Sequence, residues 1–267
     1  MKVRNKVFVV TGAGGGIGRE LVLCLLSKGS LVAGVDLVPR SLEETAGLAG
    51  RYEDQFGGFV VNVAERSAVE ALPEQVIRRF GSVDGLINNA GVIQPFCRLK
   101  DLDYSAIERV LNVNLLGTLF CTKTFLPLLL ERAEAHIVNV SSMGGFVPVP
   151  GQTMYCAAKA AVKLMSEGLA SELLQTQVRV SVVFPGAVAT KISENSGVST
   201  PRPSGGSGGM KPLAAKEAAA IIVRGIERDT QRIFVGKDSS MMDKLYRLNP
   251  GYATRAIANK MRTLLPH

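Results

Sequence analysis

Short runs of apolar and β-branched residues alternate along this chain with longer segments of helical periodicity. The runs cover residues 7–10, 31–36, 59–63, 85–88, 136–141, 178–184 and 232–235. Because the intervening segments are long enough for crossover helices, successive runs can lie parallel to one another. Strands that are apolar at nearly every position suit a sheet covered on both faces. The alternation therefore predicts an α/β fold: a doubly wound parallel sheet with helices on both faces, in a single domain over residues 1–267.

The composition excludes several classes of protein. With 46% hydrophobic and 20% charged residues, the chain resembles an ordinary globular protein and not a disordered one. Its net charge of +8 is spread along the sequence, so we do not expect a nucleic-acid partner. Four scattered cysteines and the lack of a secretory signal predict a cytoplasmic protein. Polar residues and a proline interrupt the apolar stretch at residues 111–130, which we interpret as a buried helix.

One long segment departs from the alternation. Residues 193–212 are rich in serine, glycine and proline, which predicts a flexible loop at about residues 190–213. A loop of this length is either a solvated connector or a substrate lid that closes over a ligand, and its composition leaves both interpretations open. Regular structure is expected to return with an alanine-rich helix at residues 213–228.

The last residues, about 238–267, form a basic tail with helical periodicity. An apolar stripe recurs at helical spacing opposite polar and basic residues, its members being Ala253, Ile257, Met261 and Leu264 against Arg255, Asn259 and Arg262. Such a stripe can pack on the body of the protein, on a partner subunit or, least often, on an anionic membrane surface. All three destinations remain open in the sequence.

A glycine-rich turn follows the first predicted strand, with Thr-Gly-Ala-Gly-Gly-Gly-Ile-Gly at residues 11–18. Missing side chains let backbone amides approach a pyrophosphate at the positive end of the next helix. Asp36 ends the following strand, where a carboxylate can accept ribose hydroxyls. It would repel a 2′-phosphate, and neither the glycine turn nor Leu37 supplies a guanidinium to offset this. The pattern predicts a Rossmann-like dinucleotide site for NAD, with NADP as the less favoured alternative.

Six motifs occur in a fixed order along the chain. They are the glycine turn, Asn88-Asn-Ala-Gly91, Asn114 in Val-Asn-Leu, Ser142, Tyr155-x-x-x-Lys159 and Pro185-Gly186. A single Tyr-x-x-x-Lys is a weak signal, whereas six motifs in this order are a strong one. By these motifs the chain resembles the classical short-chain dehydrogenase/reductase family through at least Thr190.

The resemblance implies an oxidoreductase that interconverts a secondary alcohol and a ketone by hydride transfer to or from a nicotinamide. It implies that Tyr155 is the acid/base and that Ser142 hydrogen-bonds the substrate oxygen. It further implies that Lys159 holds the nicotinamide ribose and that Asn114 extends a proton relay through water. The implied cofactor-binding residues are Gly12, Gly14, Gly15, Gly16, Ile17, Gly18, Asp36, Leu37, Asn62, Val63, Asn89, Ala90, Gly91, Tyr155, Lys159, Pro185, Gly186, Val188 and Thr190.

The pair Tyr155 and Lys159 also makes chemical sense without the family. Hydride leaves an alcohol carbon only as the hydroxyl proton departs, so the site needs a base near neutrality, whereas free tyrosine titrates near 10. Lys159 lies four residues after Tyr155 in a helical segment, hence on the same face. We expect its ammonium to lower the pKa of the phenol, as a nearby opposite charge does.

Two positions depart from the family pattern. Asn62 replaces the usual aspartate that contacts the adenine, although an amide oxygen can still accept that hydrogen bond. The basic tail replaces the glycine-rich ending of the family's tetramers, so a homotetramer is left open. The resemblance implies a pairing surface on the helices expected at residues 102–131 and 153–175, so we expect a homodimer. Because the only histidines are His136 and His267, we expect no metal site.

The substrate is constrained only loosely by the sequence. Apolar residues flank the motifs and favour a hydrophobic alcohol or ketone of lipid, steroid or terpenoid type, unless they are core: Phe96, Phe146, Val147, Val149 and Met154. One alternative within the family is a 3-oxoacyl-carrier-protein reductase that uses NADPH, since a basic surface suits an acidic carrier. Another is a non-catalytic NAD-sensing regulator on the same fold.

Overall fold

The computed structural model describes residues 1–198 and 211–261. The strands are β1 Val7–Thr11, β2 Leu31–Asp36, β3 Phe56–Val60, β4 Gly85–Asn88, β5 Ala135–Val140, β6 Val178–Pro185, β7 Val188–Ala189, β8 Leu213–Ala214 and β9 Arg232–Val235. The helices are α1 Gly16–Ser27, α2 Pro39–Ala49, α3 Arg66–Glu70, α4 Leu72–Phe80, α5 Tyr104–Leu111, α6 Gly117–Leu130, α7 Thr153–Glu172, α8 Ile192–Asn195, α9 Ala215–Glu227, α10 Lys237–Leu248 and α11 Pro250–Lys260.

Seven strands form one parallel sheet in the order β3-β2-β1-β4-β5-β6-β9. The order reverses between β1 and β4, because the chain builds outward first to one side of β1 and then to the other. This confirms the predicted Rossmann-like, doubly wound α/β sheet. At such a reversal the loops that leave the two strands diverge and open a crevice at their carboxyl ends, where ligands bind in this architecture. The fold thus indicates where a functional site belongs.

Each face of the sheet carries its own hydrophobic core. On one face, α1 and α9 pack together and bury Leu21, Leu25, Ile222 and Ile226 against the central strands. On the other face, α4 and α6 supply a second cluster that includes Phe125, which has no exposed surface. Because both faces are covered, the central strands carry apolar side chains in both directions. This explains the continuous apolar runs in the sequence.

The prediction for the third strand was wrong in its boundaries. Residues 59–63 were expected to form it, but β3 begins at Phe56 and ends at Val60. The glycine pair at 57 and 58 looks like a strand breaker in the sequence. In the fold it lies within the strand, where a Cβ on Gly57 would come 3.1 Å from the ring of Phe80. Close packing at this edge of the sheet therefore requires the glycine that obscured the strand.

The helical segment Tyr104–Leu130 is long and apolar enough to cross a bilayer by length and composition. Its C-terminal part, α6, packs on β4 and β5 and buries Phe125 and Leu129 completely. A π-helical turn at Asn112–Leu116 separates α5 from α6. The buried inner face agrees with our interpretation of residues 111–130 as a helix that covers the sheet.

Most of the predicted loop, residues 199–210, lies outside the described residues. Residues 187–198 are described and cross the carboxyl ends of the strands, with β7 paired to β8 after the gap. In the predicted helix at 213–228, the first two residues form β8 and the helix proper is α9. The substrate lid therefore stays a prediction, with a solvated connector as the alternative.

In the tail, α10 and α11 pack on each other and α10 contacts β9. Asp243 of α10 binds Arg232 at 3.0 Å, and the Ser239 hydroxyl donates to the carbonyl of Phe184 at 2.8 Å. Ala253 and Ile257 are buried, at 0% and 4% exposure, and the helix that carries them, α11, packs on α10. The stripe's last member, Leu264, lies outside the described residues.

The buried side chain of His136, in β5, makes the stability of the fold depend on pH. Its ring has no exposed surface, and Nε2 lies 2.8 Å from the Ser181 hydroxyl. Burial lowers the pKa of His136 from 6.5 to about 4. Because the unfolded chain then binds the proton more tightly, the stability present above pH 6.5 is lost as the pH falls towards 4. We expect this group to lower the free energy of unfolding by about 3 kcal/mol over that window.

Urea unfolding followed between pH 7 and pH 4 measures this loss. His136→Gln, which cannot titrate, should show a shallower dependence of the unfolding free energy on pH than the unmodified protein. Equal slopes for the two proteins would contradict a neutral, buried His136.

Candidate active site

The loops after β1 and β4 are held together at the reversal of strand order. The Thr11 hydroxyl accepts hydrogen bonds from the backbone amides of Asn89 and Ala90, both at 3.0 Å. In return, the side-chain amide of Asn89 donates to the carbonyls of Thr11, at 3.0 Å, and Gly12, at 3.3 Å. The predicted residues Asn89 and Ala90 are thus fixed beside the glycine turn.

The glycine turn has the shape that a dinucleotide pyrophosphate requires. Gly12 has a φ of +67°, and a Cβ on Gly18 would overlap the carbonyl oxygen of Gly12. Gly15 precedes α1, and within the described part of the chain no side chain caps this helix; its first turn holds no acidic residue. The amides and the positive end of the helix dipole are therefore available to an anion. Ile17 points the other way and packs against the core.

Asp36 lies next to this turn. Its carboxylate accepts hydrogen bonds from the amide of Gly14 at 2.9 Å and from that of Val38 at 3.1 Å. These two bonds leave acceptor capacity on the carboxylate, which can take about four donors. The neighbouring Leu37 is exposed, at 61%. The position fits recognition of a ribose by its hydroxyl groups, as the sequence predicts.

The sequence analysis missed Arg19, which follows the glycine turn directly. We expected no guanidinium near the ribose site, but the Arg19 side chain donates to the carbonyls of Gly14 and Ser41. It also forms an ion pair with Glu44 at 2.9 Å. An arginine in the first turn of α1 can fold back over the turn that precedes it, and this position in the sequence was the available signal. The expectation was therefore wrong, although Arg19 already has an anionic partner.

The predicted adenine contacts lie at the end of β3. The side-chain oxygen of Asn62 accepts from the amide of Ala64 at 3.1 Å, while its nitrogen donates to Glu65 at 3.0 Å. Asn62 therefore shapes the turn before α3, and one lone pair of its oxygen remains for a ligand. Val63 is buried against Gly117, where a Cβ would come within 3.0 Å of it.

Ser142, Tyr155 and Lys159 converge beyond the carboxyl end of β5. Ser142 follows the strand, and its hydroxyl accepts from the amide of Gly144 at 3.0 Å. The hydroxyl also lies close enough to the phenol of Tyr155 to lower the pKa of that group. Tyr155 and Lys159 lie one turn apart on α7, with Nζ of Lys159 5.9 Å from the centre of the tyrosine ring. A Cβ on Gly91 would come 3.4 Å from the same Nζ, so the loop after β4 closes the site from the other side.

The expected effect of Lys159 on the phenol is corrected by the structure. Burial raises the pKa of Tyr155 above 10, and the hydrogen bond from Ser142 only partly offsets this. The ammonium of Lys159 is directed to the carbonyl of Val140, at 2.9 Å. Burial also lowers the pKa of Lys159 to about 8. The protein therefore disfavours charge on both groups, because water is excluded around them.

Asn114 lies in the π-helical turn and is fully buried. Its side chain accepts from the amide of Val92 at 3.0 Å and donates to the carbonyl of the same residue at 2.8 Å. Its own carbonyl accepts from the Thr118 hydroxyl at 2.9 Å. These contacts place Asn114 against the loop after β4, next to Gly91.

The segment after β6 completes the crevice. Pro185 ends the strand, and the amide of Gly186 donates to Val235 at 2.9 Å. Thr190 comes close to the glycine turn, since a Cβ on Gly16 would lie 3.3 Å from its side chain. Val188 pairs with Leu213. Of the predicted residues of this segment, the structure thus brings Thr190 to the glycine turn, while Gly186 and Val188 contact β9 and β8.

The predicted apolar pocket residues separate into two groups. Phe146 packs edge-on against Phe184, with ring centres 5.4 Å apart, and Val147 has no exposed surface. Val147 therefore belongs to the core, which is the alternative that the sequence left open, and Phe146 is partly buried beside it. Phe96, Val149 and Met154 are only partly buried near the start of α7. A cavity of about 260 Å³ lies alongside, between the loop after β4, α5 and the residues that follow α8.

Comparison with known proteins gives consistent matches over most of the chain. The short chain dehydrogenase family matches residues 6–199. The protein SadH of Mycobacterium tuberculosis is 34% identical over 269 residues, 98% of this chain and 97% of that one. The 3-oxoacyl-(acyl-carrier-protein) reductase FabG of Thermotoga maritima is 35% identical over 73% of this chain and 78% of its own length. A short chain dehydrogenase/reductase from Burkholderia phymatum in complex with NAD superimposes with a TM-score of 0.85, at 25% identity over 94% and 96% of the two chains.

The glycine turn generates a direct test of the nucleotide site. In Gly18→Ala the new methyl group would collide with the backbone of Gly12, so we expect at least a tenfold loss of NADH affinity, which corresponds to about 1.4 kcal/mol. Fluorescence titration measures it. Gly47→Ala is the matched control, because a Cβ there meets nothing within 4 Å. Unchanged affinity in Gly18→Ala would contradict this location for the pyrophosphate.

Proposed function

The chain belongs to the short-chain dehydrogenase family, and we propose that it is an NAD-dependent oxidoreductase interconverting a secondary alcohol and a ketone. The observation that carries the proposal is the convergence of Ser142, Tyr155 and Lys159 beside the glycine turn. We propose Tyr155 as the acid/base and an apolar substrate of lipid, steroid or terpenoid type.

The nicotinamide, when bound, supplies the acceptor or donor of hydride. In the oxidative direction Tyr155, as phenolate, takes the hydroxyl proton of the alcohol, and in reduction its phenol gives that proton to the ketone oxygen. Ser142 and Tyr155 lie side by side, since a Cβ on Gly144 would come 3.5 Å from the Ser142 hydroxyl and 3.6 Å from the tyrosine ring. We propose that this hydroxyl holds the substrate oxygen next to the phenol. The glycine turn and Asp36 would hold the pyrophosphate and the ribose.

Lys159 supplies the positive charge of the site. With a pKa of about 8, the side-chain amine of Lys159 is mainly in its protonated form at neutral pH despite its burial. In this structure its charge does not lower the pKa of the phenol, because Nζ lies 5.9 Å from the centre of the tyrosine ring and donates to the carbonyl of Val140. We propose that it also holds the nicotinamide ribose, and that Asn114, whose side-chain oxygen lies beside Gly91 as Nζ of Lys159 does, extends the proton path to water.

We propose NAD rather than NADP on electrostatic grounds. The Asp36 carboxylate lies against Gly14, where a 2′-phosphate would meet a like charge. Arg19 could offset that repulsion, but its guanidinium is held by Glu44 and two backbone carbonyls.

The proposal of an apolar substrate rests on two partly buried apolar residues close to Tyr155 in the chain, namely Val149 and Met154. A screen of alcohols with NAD, followed by absorbance of the reduced cofactor, tests it. The main alternative is a 3-oxoacyl-carrier-protein reductase that uses NADPH, which the similarity to FabG and the net charge of +8 favour. A non-catalytic NAD sensor would bind NADH and turn over no alcohol.

We further propose a cytoplasmic homodimer formed through the outer faces of the helices α5–α6 and α7. Leucines on these faces are exposed in the monomer: Leu119 at 38%, Leu130 at 46% and Leu164 at 68%. Apolar surface that a dimer covers gains stability by leaving water. Light scattering gives the mass directly, and a tetramer remains the alternative.

Removal of one hydroxyl tests the role of Tyr155. We expect Tyr155→Phe to lower kcat by about a hundredfold or more, the usual contribution of a general acid/base, while NADH affinity stays within about twofold. Tyr104→Phe, at a residue with 83% exposure, is the control. Lys159→Met should weaken both NADH binding and turnover, and Lys163→Met should weaken neither. Turnover above one tenth of the unmodified rate in Tyr155→Phe would count against the assignment.

Cofactor preference tests Asp36. We expect NADH to bind about tenfold more tightly than NADPH, since like-charge repulsion of about 1.4 kcal/mol suffices for that ratio. The double variant Asp36→Ala with Leu37→Arg should favour NADPH, because a carboxylate is replaced by a guanidinium that pairs with phosphate. Leu48→Arg, at an equally exposed leucine, controls for added charge. Equal affinities in the unmodified protein would refute the preference.

A further inference from the structure

Gln94 lies in the loop after β4 and is buried, at 1% exposure. Its side-chain oxygen accepts from the backbone amide of Met154 at 2.9 Å and from that of Tyr155 at 3.0 Å. Its side-chain nitrogen donates to the carbonyl of Gly151 at 3.1 Å. Its own carbonyl accepts from the side chain of Gln152 at 2.7 Å. Every one of these partners lies at the start of α7.

These bonds replace the usual cap of the helix. The first amides of a helix have no partner within it and are commonly satisfied by the side chain of the preceding residue. Here that residue, Gln152, makes no capping bond, so Gln94 supplies the acceptor from a loop about sixty residues earlier in the chain. One of the two amides that it holds is that of Tyr155 itself. A residue remote in sequence therefore fixes the backbone that carries the phenol.

The two residues before Gln94 make comparable contacts. Val92 is bound in both directions by Asn114, and the amide of Ile93 donates to the Ser196 hydroxyl at 3.0 Å. Ser196 lies in the segment that crosses the carboxyl ends of the strands and is itself buried. Three consecutive residues thus connect α7, the π-helical turn and the segment after α8.

We propose that Gln94 is a positioning residue for Tyr155: its amide holds the first turn of α7 so that the phenol meets Ser142. This inference rests on the proposed function of the same site. Gln94 touches no reacting atom and acts through the backbone of Tyr155. The role needs an acceptor that takes two N–H groups at once, which the side-chain oxygen of Gln94 supplies, while its nitrogen donates to a carbonyl outside the helix.

Gln94→Met tests the role, since methionine has nearly the same length but can neither accept nor donate these bonds. A displacement of the phenol by about 1 Å can cost up to about a hundredfold in rate, so we expect kcat to fall at least about tenfold. The Kd for NADH should stay within about twofold, because the glycine turn is not altered. Gln75→Met, at an exposed glutamine of α4, is the matched control.

Two further measurements distinguish positioning from a general structural effect. Amide hydrogen exchange at Met154 and Tyr155 should accelerate in Gln94→Met and in the control remain as it was. The pKa of the Tyr155 phenol, followed by NMR with ring-labelled tyrosine, should rise, because the hydrogen bond from Ser142 that lowers it is weakened. Gln94→Glu keeps the acceptor oxygens at the positive end of α7 and should recover most of kcat.

The outcomes separate this inference from the proposed function. If the unmodified protein oxidises no alcohol, the proposed function fails, and the phenol pKa and amide exchange still decide whether Gln94 positions Tyr155. If Gln94→Met folds and leaves kcat, exchange and the phenol pKa unchanged, the inference is overturned. If Gln94→Met does not fold, Gln94→Glu decides: retained kcat with slow exchange at Tyr155 supports the role, and fast exchange with retained kcat overturns it.

Discussion

The contact between the loops after β1 and β4 is the constraint on which the rest of the site depends. One hydroxyl, that of Thr11, accepts two amides from the other loop, and the backbone of Gly12 and Gly18 approaches more closely than any side chain would allow. These contacts fix the width of the crevice at the reversal of strand order. The glycine turn, Asp36 and the loop that carries Gly91 take their positions from it, because each is joined to one of these two loops.

The electrostatics of the site follow from its burial. Tyr155 is partly buried and Lys159 is buried, and the loss of water raises the pKa of the first and lowers that of the second. A buried phenol is a poor base by itself, so its ionisation depends on cations brought close to it. The nearby ammonium of Lys159 lies on the same helix face and donates to the carbonyl of Val140. The positive charge of Lys159 therefore lies close to the phenol of Tyr155, where we propose that the proton is transferred.

The sequence predicted the sheet and most of the site because both are written in local patterns. Apolar runs and glycine turns depend on neighbouring residues, and the six other strands of the seven-stranded sheet begin and end within about two residues of their predicted bounds. The short strands β7 and β8 were not predicted. The third strand was misplaced because Gly57 packs closely against Phe80, a contact distant in sequence. Arg19 and Gln94 were missed for a similar reason: the partners that give them a role lie some 25 and 60 residues away. Phe146 was ambiguous, since an apolar residue beside a motif packs equally well in a core.

The π-helical turn at Asn112–Leu116 has a consequence for how the chain can vary. An α-helix rotates by about 100° per residue, and a π turn accommodates one residue more than regular winding would. The extra residue sets the angle at which α5 follows the outer surface while α6 covers the sheet, and it directs Asn114 at Val92. A single deletion here would restore regular winding and rotate one half of the helix against the other. This stretch is therefore constrained in its number of residues as well as in the identity of Asn114, so insertions and deletions should be selected against even where substitutions at its other positions are tolerated.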